Sequence, residues 1–223
     1  MKTPPPLPSS FLYRRMHSLT GLFLVLFLVM HLFTNSQAAL EQQSFVHSVN
    51  SIHSIPYLQF IELSFLALPI LMHGIAGAYY AYQSRQNVFG NNFAKPVLPE
   101  YSRNRAYTWQ RLTSWILMVG ILAHVVHMRF IEYPSSSVQD FGLETLLMLQ
   151  RTFKDPSMVA FYTLFVLSAC YHAFNGLWTF CITWGITISQ RSQRLLLIVC
   201  YVGMSLTAFL GLVAIWGIFW VDK

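Results

Sequence analysis

Charge is scarce in this chain. Charged residues fill only 10% of its 223 positions, where a water-soluble domain carries about 25%. Most of the surface is therefore expected to touch lipid, which excludes an ordinary soluble enzyme. Cysteine is scarcer still. Cys170, Cys181 and Cys200 all fall inside apolar stretches, so no disulfide framework is implied and small buried side chains are expected. No C-x-x-C-H occurs, which excludes covalent attachment of a c-type haem. No polar stretch is long enough for a soluble domain, and no internal repeat or low-complexity tract stands out.

What remains is apolar. The chain is 55% hydrophobic and 16% aromatic, with a mean hydropathy of +0.48. A bilayer core of about 30 Å needs about 20 apolar residues per helix. Five stretches qualify: Tyr13–Thr34, Tyr57–Tyr82, Ala106–Phe130, Ser157–Ile188 and Leu195–Val221. The expected fold is an all-α integral membrane bundle of five transmembrane helices, one domain over residues 1–223. The first stretch opens with Arg14 and Arg15 ahead of its apolar run and precedes small residues at Ser36–Ala39, as a secretory signal does. Its length is at the upper limit for a signal and it carries His31, so it is read as a retained span.

Charge gives the orientation. With the N-terminus in the cytoplasm, that side holds Lys2, Arg14, Arg15, Arg85, Lys95, Arg103, Arg105, Arg111, Arg191 and Arg194 against Glu100 alone, a balance of +9. The other side holds Arg129, Arg151, Lys154 and Lys223 against seven carboxylates, a balance of −3, and the two make the total of +6. Basic residues stay in the cytoplasm, so the expected topology is N-in, C-out. The basic balance belongs to the loops, and nucleic acid is not an expected partner. Pro4, Pro5, Pro6 and Pro8 predict an extended tail, and 83–105 a basic cytoplasmic loop suited to docking. Residues 36–56 and 132–156 are expected as outer loops, with Pro56 and Pro156 near helix starts. Trp109, Trp216 and Trp220 fall where interfacial belt residues do.

Four histidines, His31, His73, His124 and His172, each lie in a different span. An ionisable side chain within a span is costly and is by default functional. At 1.5 Å rise per residue, depth follows from where each span starts. His31 and His124 stand 17 and 19 residues beyond Arg14 and Arg105, about 25–29 Å towards the outside. His73 and His172 stand 17 and 16 residues beyond Pro56 and Pro156, about 24–26 Å towards the cytoplasm. Two layers of two imidazoles suit two b haems, each iron held by a histidine on either side. Gly77, Gly120 and Gly176 lie four residues from His73, His124 and His172, each one turn nearer the cytoplasm. Either they leave room for a flat macrocycle or they simply allow close helix packing. Phe27 takes that place on the first helix.

Other ionisable groups are assigned by position. Arg15, Ser18, Arg111 and Arg191 lie where haem propionates need donors, although basic anchoring alone explains such residues. Quinone chemistry moves protons with electrons, and Glu62, about 9 Å below Pro56, is the first candidate for it, followed by His127 and Arg129. His127 also lies one turn above His124 and is an alternative ligand. His17 stands at the cytoplasmic edge, and His47 and His53 are expected to be exposed. A haem-free proton or solute transporter stays open, yet it usually places acids at mid-membrane, where only Glu62 comes near.

The stretches LYRRMHSLTG (12–21), LMHGIAGAYYAY (71–82), YHAFNGLWTFCITWGIT (171–187) and RSQR (191–194) together resemble the dihaem, five-helix cytochrome b subunits of succinate:quinone oxidoreductases. The resemblance covers nearly the whole chain and fades between Gln37 and Ile55. It implies a membrane anchor for a flavoprotein and an iron–sulfur subunit on the cytoplasmic side, in a bacterial cytoplasmic membrane. It further implies electrons passing from succinate to a quinone, generally menaquinone, near the outer haem. His73 with His172 then hold the inner, higher-potential haem, and His31 with His124 the outer, lower-potential one. The cytochrome b subunit of a formate- or hydrogen-linked enzyme is the nearest alternative.

Overall fold

The computed structural model describes residues 9–83, 98–134 and 139–221. The proline-rich tail, most of the predicted basic loop with Arg85 and Lys95, and the last two residues lie outside the described residues. Seven helices are found among those described: α1 (Ser9–Leu40), α2 (Gln42–His53), α3 (Leu58–Gln83), α4 (Ser102–Ile131), α5 (Phe141–Phe153), α6 (Pro156–Thr183) and α7 (Gln190–Val221). Five of them, α1, α3, α4, α6 and α7, are long and apolar enough to cross a membrane.

The helix ends have local causes. Asp155 accepts a hydrogen bond from Ser157 N at 2.8 Å and Pro156 occupies the first turn of α6, the position where a missing N–H costs nothing. Helix α6 stops at Thr183, short of the predicted Ile188, because Gly185 turns left-handed at φ 70. Ile186 N then bonds Cys181 O at 2.8 Å and Gly185 N bonds Ile182 O at 3.0 Å, which closes the helix in a Schellman motif. Ser189 caps α7 through its Oγ, which accepts from Ser192 N at 3.1 Å, so that helix begins at Gln190 and not at the predicted Leu195. Pro56 lies two residues before α3, separated from it by Tyr57 at φ 58.

Two spans contain π-helical turns, Leu63–Ala67 in α3 and Val126–Ile131 in α4. The first has a visible origin in Pro69. Its ring cannot approach the carbonyl four residues back, and Leu68 N instead reaches Leu63 O, five residues back.

Helices α1, α3, α4 and α6 form a ring in which α1 packs on α3 and α6, and α4 packs on α3 and α6. Helix α7 lies outside that ring against α1 and α6, and Trp216 Nε1 donates to Thr163 Oγ1 across the seam at 3.1 Å. The expected outer loops are corrected here. They contain α2 and α5, which pack on each other and cover the same end of the bundle. Phe45, Leu146, Met148, Leu149 and Phe153 from these two helices are buried with Val159, Tyr162 and Ile215 of the spans. Asn50 locks the pair: its Nδ2 donates to Asp140 Oδ1 at 2.8 Å while its Oδ1 accepts from Gly142 N at 2.8 Å. The bundle thus has a capped end, and an opposite, basic end that carries Arg14, Arg15, Arg103 and Arg111.

Candidate functional site: two imidazole pairs across the bundle

At the basic end, His73 on α3 faces His172 on α6, with ring centroids 6.2 Å apart and planes at 87°. These helices are not neighbours in the ring, so the pair crosses its diagonal. His73 is fixed from α1. Its Nδ1 lies 3.0 Å from the carbonyl oxygen of His17, and its ring stacks on the His17 ring at 4.2 Å with planes 9° apart. An Nδ1–H donating to that carbonyl leaves Nε2 with the free lone pair a metal needs. His172 is held through its backbone. Arg103 Nη2 donates to Asn175 Oδ1 at 3.0 Å, Asn175 Nδ2 to Gln110 Oε1 at 2.8 Å, and Gln110 Nε2 to His172 O at 3.0 Å. The Arg103 guanidinium lies 3.6 Å from the centre of the Trp178 ring, whose Nε1 donates to Gln193 O at 3.1 Å. The FNGLW and RSQR stretches therefore meet in one polar network, where each amide in low dielectric finds a partner.

Towards the capped end, His31 on α1 faces His124 on α4 at 6.0 Å between centroids, with planes at 75°. This pair crosses the other diagonal. It is His124, and not His127, that meets His31. The surroundings are aromatic: Tyr162 edges onto His124 at 5.8 Å, Phe165 lies 5.9 Å away, and Phe27 stacks on His31 at 5.3 Å. Hydrogen bonds to these rings are long. His124 Nδ1 is 3.3 Å from the Tyr162 hydroxyl and His31 Nδ1 is 3.5 Å from Asn35 Nδ2. Asn35 spends its stronger bond, 2.8 Å, on His31 O.

Glu62 and Arg129, far apart in sequence, form an ion pair of 2.9 Å. Glu62 immediately precedes the π turn of α3 and Arg129 lies within that of α4. The Arg129 guanidinium also covers the Tyr133 ring at 4.2 Å. His127, in the same turn, has a buried Nδ1 without a hydrogen-bond partner. Unwound turns of this kind gather at functional sites because they re-aim side chains and free carbonyls.

The four propionate candidates separate. Arg15 Nη1 donates to Thr183 O at 2.7 Å and its guanidinium covers Trp184 at 4.7 Å. Ser18 Oγ accepts from Trp184 Nε1 at 3.1 Å. Both thus tie the start of α1 to the end of α6. Arg191 is exposed on the first turn of α7. Arg111 alone of the four has a buried nitrogen, Nε, with no hydrogen-bond partner, and its guanidinium covers the Tyr107 ring at 4.9 Å. The three glycines are each overlaid by a neighbour: Gly77 by His17 Nε2, Gly120 by the Phe165 ring, and Gly176 by Gln110 Nε2. A different glycine, Gly21 at the end of LYRRMHSLTG, touches a paired imidazole directly, with the His73 ring lying against it.

Among the described residues, no group of three or more His, Cys, Asp or Glu could hold a bare metal ion. Two opposed imidazoles suit a different task. Metal–imidazole bonds of about 2.0 Å on either side of one iron put the ring centroids roughly 6 Å apart, and both pairs have that separation. The remaining four iron positions belong to a porphyrin, so each pair fits a b-type haem. His47 and His53 are exposed, with His53 stacked on Phe141 at 3.9 Å. The three cysteines are buried and free.

Sequence reasoning missed Gly21, the Asn175–Gln110 bridge and Tyr162. For Gly21 a signal existed, since it stands four residues after His17 and so beside the His17 carbonyl.

No family model matches the chain. It is 32% identical over 206 residues to the succinate dehydrogenase cytochrome b558 subunit of Bacillus subtilis (strain 168). The match covers 92% of this chain and 95% of that relative. An identity of this size, running almost end to end, leaves no room for the formate- or hydrogen-linked alternative: the chain belongs to the cytochrome b subunits that anchor succinate dehydrogenase.

Proposed function

We propose that the chain is the dihaem electron-transfer subunit of a succinate dehydrogenase, passing electrons between an iron–sulfur subunit and menaquinone in a bacterial cytoplasmic membrane. The observation that carries this reading is the pair of diagonal imidazole contacts, 6.2 Å and 6.0 Å between centroids, at two levels of one bundle. The basic end faces the cytoplasm by the positive-inside rule, and there it docks the iron–sulfur and flavoprotein subunits. His73 and His172 ligate the inner, higher-potential haem, and His31 and His124 the outer, lower-potential one. When bound, the two haems supply one-electron carriers stacked through the bilayer.

The protein's own part is to hold and insulate. Arg111, with its unpaired buried Nε, is the best placed of the candidates to receive an inner propionate, because Arg15 and Ser18 are engaged with Thr183 and Trp184. At the outer level, Glu62 exchanges protons with a quinone, Arg129 holds its carboxylate in place, and His127 faces the headgroup. The two π turns that frame these residues support that assignment.

The test is a reduced-minus-oxidised spectrum of the purified complex. Two b-type haems per chain, co-purifying with a flavoprotein and an iron–sulfur subunit, are expected. A colourless, correctly folded chain sinks the reading.

A further inference from the structure

We propose that Gly21 is a positioning residue for the inner haem: its bare backbone lets His73 donate to a helix carbonyl, which sets the electron donation of that ligand. The inference rests on the dihaem reading above. In an α-helix the carbonyl of residue i points to the N–H of residue i+4, so the His17 carbonyl lies beside Gly21. A Cβ at Gly21 would stand 2.7 Å from His73 Cε1 and 3.2 Å from its Nδ1. The first distance is too short for two carbons, so any side chain pushes the ring away from α1. The 3.0 Å contact from His73 Nδ1 to His17 O and the parallel stack on His17 both depend on that missing atom.

The bond distinguishes His73 from the other three paired histidines. His124 Nδ1 has only the 3.3 Å contact to a phenol, His31 Nδ1 the 3.5 Å contact to an amide nitrogen, and His172 Nδ1 is buried without a partner. A ligand imidazole that donates its Nδ1–H to a strong acceptor is a more basic ligand, and a more basic ligand favours ferric over ferrous iron. The carbonyl is shared. Thr20 Oγ1 lies 3.0 Å from both Met16 O and His17 O, so its single proton is divided between the two carbonyls and competes in part with His73 for the second.

Two substitutions therefore move one potential in opposite directions. In the intact complex in membranes, Gly21→Ala lengthens the His73 bond and raises the midpoint potential of the inner haem, leaving the outer one where it was. Thr20→Val frees the carbonyl for His73 and lowers the inner potential by a smaller amount. Gly74→Ala is the control. It adds a methyl group next to His73 in sequence with nothing within 4 Å, and it moves neither potential. Redox titration followed at the b-type bands reads all three. Two haems with an unmoved inner potential in Gly21→Ala, or equal shifts of both, overturn the proposal. Should Gly21→Ala fail to retain the inner haem, Thr20→Val decides, and an unchanged or raised inner potential there is the adverse result. A wild-type complex lacking two b-type haems overturns the dihaem reading, and this inference with it.

Discussion

The two ends of the bundle hold their imidazole pairs by different means. At the basic end the grip is polar: a backbone carbonyl on His73, and a run from Arg103 through Asn175 and Gln110 to the His172 carbonyl. Towards the capped end it is steric, with Tyr162, Phe165 and Phe27 around His124 and His31, and a buried apolar layer under α2 and α5. The polar grip fixes the ring orientation and tautomer of His73, and the backbone of His172. The aromatic wall excludes water and leaves the rings weakly bonded. In our reading the first end receives electrons from a docked subunit and the second delivers them to a mobile quinone, so rigidity sits at the first and adaptable backbone, the two π turns, at the second.

The largest expected effects break the pairs themselves. His73→Ala or His172→Ala should remove the inner haem and impair docking of the soluble subunits, while His31→Ala or His124→Ala should remove only the outer one. Each loss halves the reduced b-type absorbance. Retention of both haems in an inner variant would move the ligand role to His17, and in an outer variant to His127. Next in size is Glu62→Gln, which keeps the shape at the capped end but removes the proton carrier beside Arg129. Quinone-linked turnover should fall about 100-fold, the low end of what a positioned acid–base group supplies, at unchanged haem content; a wild-type rate removes Glu62 from the proposal.

Smaller effects concern the cap. Asn50→Ala leaves Gly142 N–H unpaired and should weaken the α2–α5 clasp by about 1 kcal/mol. Hydrogen exchange of amides in these two helices should quicken roughly five-fold, with no change in Asn175 or Gln110. The mildest test is acid. Hydrogen bonds from the Asn50 side chain and Leu143 N hold the Asp140 carboxyl below its ordinary value. A depressed folded value means that this stabilisation is present above about pH 4, the unfolded value, and is lost as pH falls through the folded one. Exchange of the first-turn amides of α5 should therefore quicken in acid. The first turn of α7, capped by the non-titrating Ser189, should not respond in that window, and an equal response at both helices contradicts the assignment.

Much of this was legible beforehand because hydropathy is local. Any run of some 20 apolar residues must satisfy its backbone internally, so it reads as a spanning helix wherever it packs. The resemblance motifs point to one family, and the Bacillus subtilis relative is of that family. The helices α2 and α5 read as loops from the sequence although their signals are present. Phe45, Val49 and Ile52 recur at helical spacing, and Asp140 stands as an N-cap before Leu146, Leu149 and Phe153. Segments this short bury an apolar face only against each other and the ends of the spans, and those partners are not visible along the chain. The Glu62–Arg129 pair is hidden for a related reason, since it depends on how α3 is rotated relative to α4, whereas the π turn at Leu63–Ala67 has a local signal in Pro69.

Sequence alone determined that five helices span, that four of them carry one deep histidine each, and that these fall into two layers. Rise per residue and apolar length suffice for that, and neither needs a neighbour. Only the tertiary structure decided that the pairs lie on the two diagonals of a ring, that His124 rather than His127 meets His31, and that His73 hangs from a carbonyl on another helix. Those outcomes depend on the rotation of each helix about its axis and on the order of helices around the ring, which long-range packing sets.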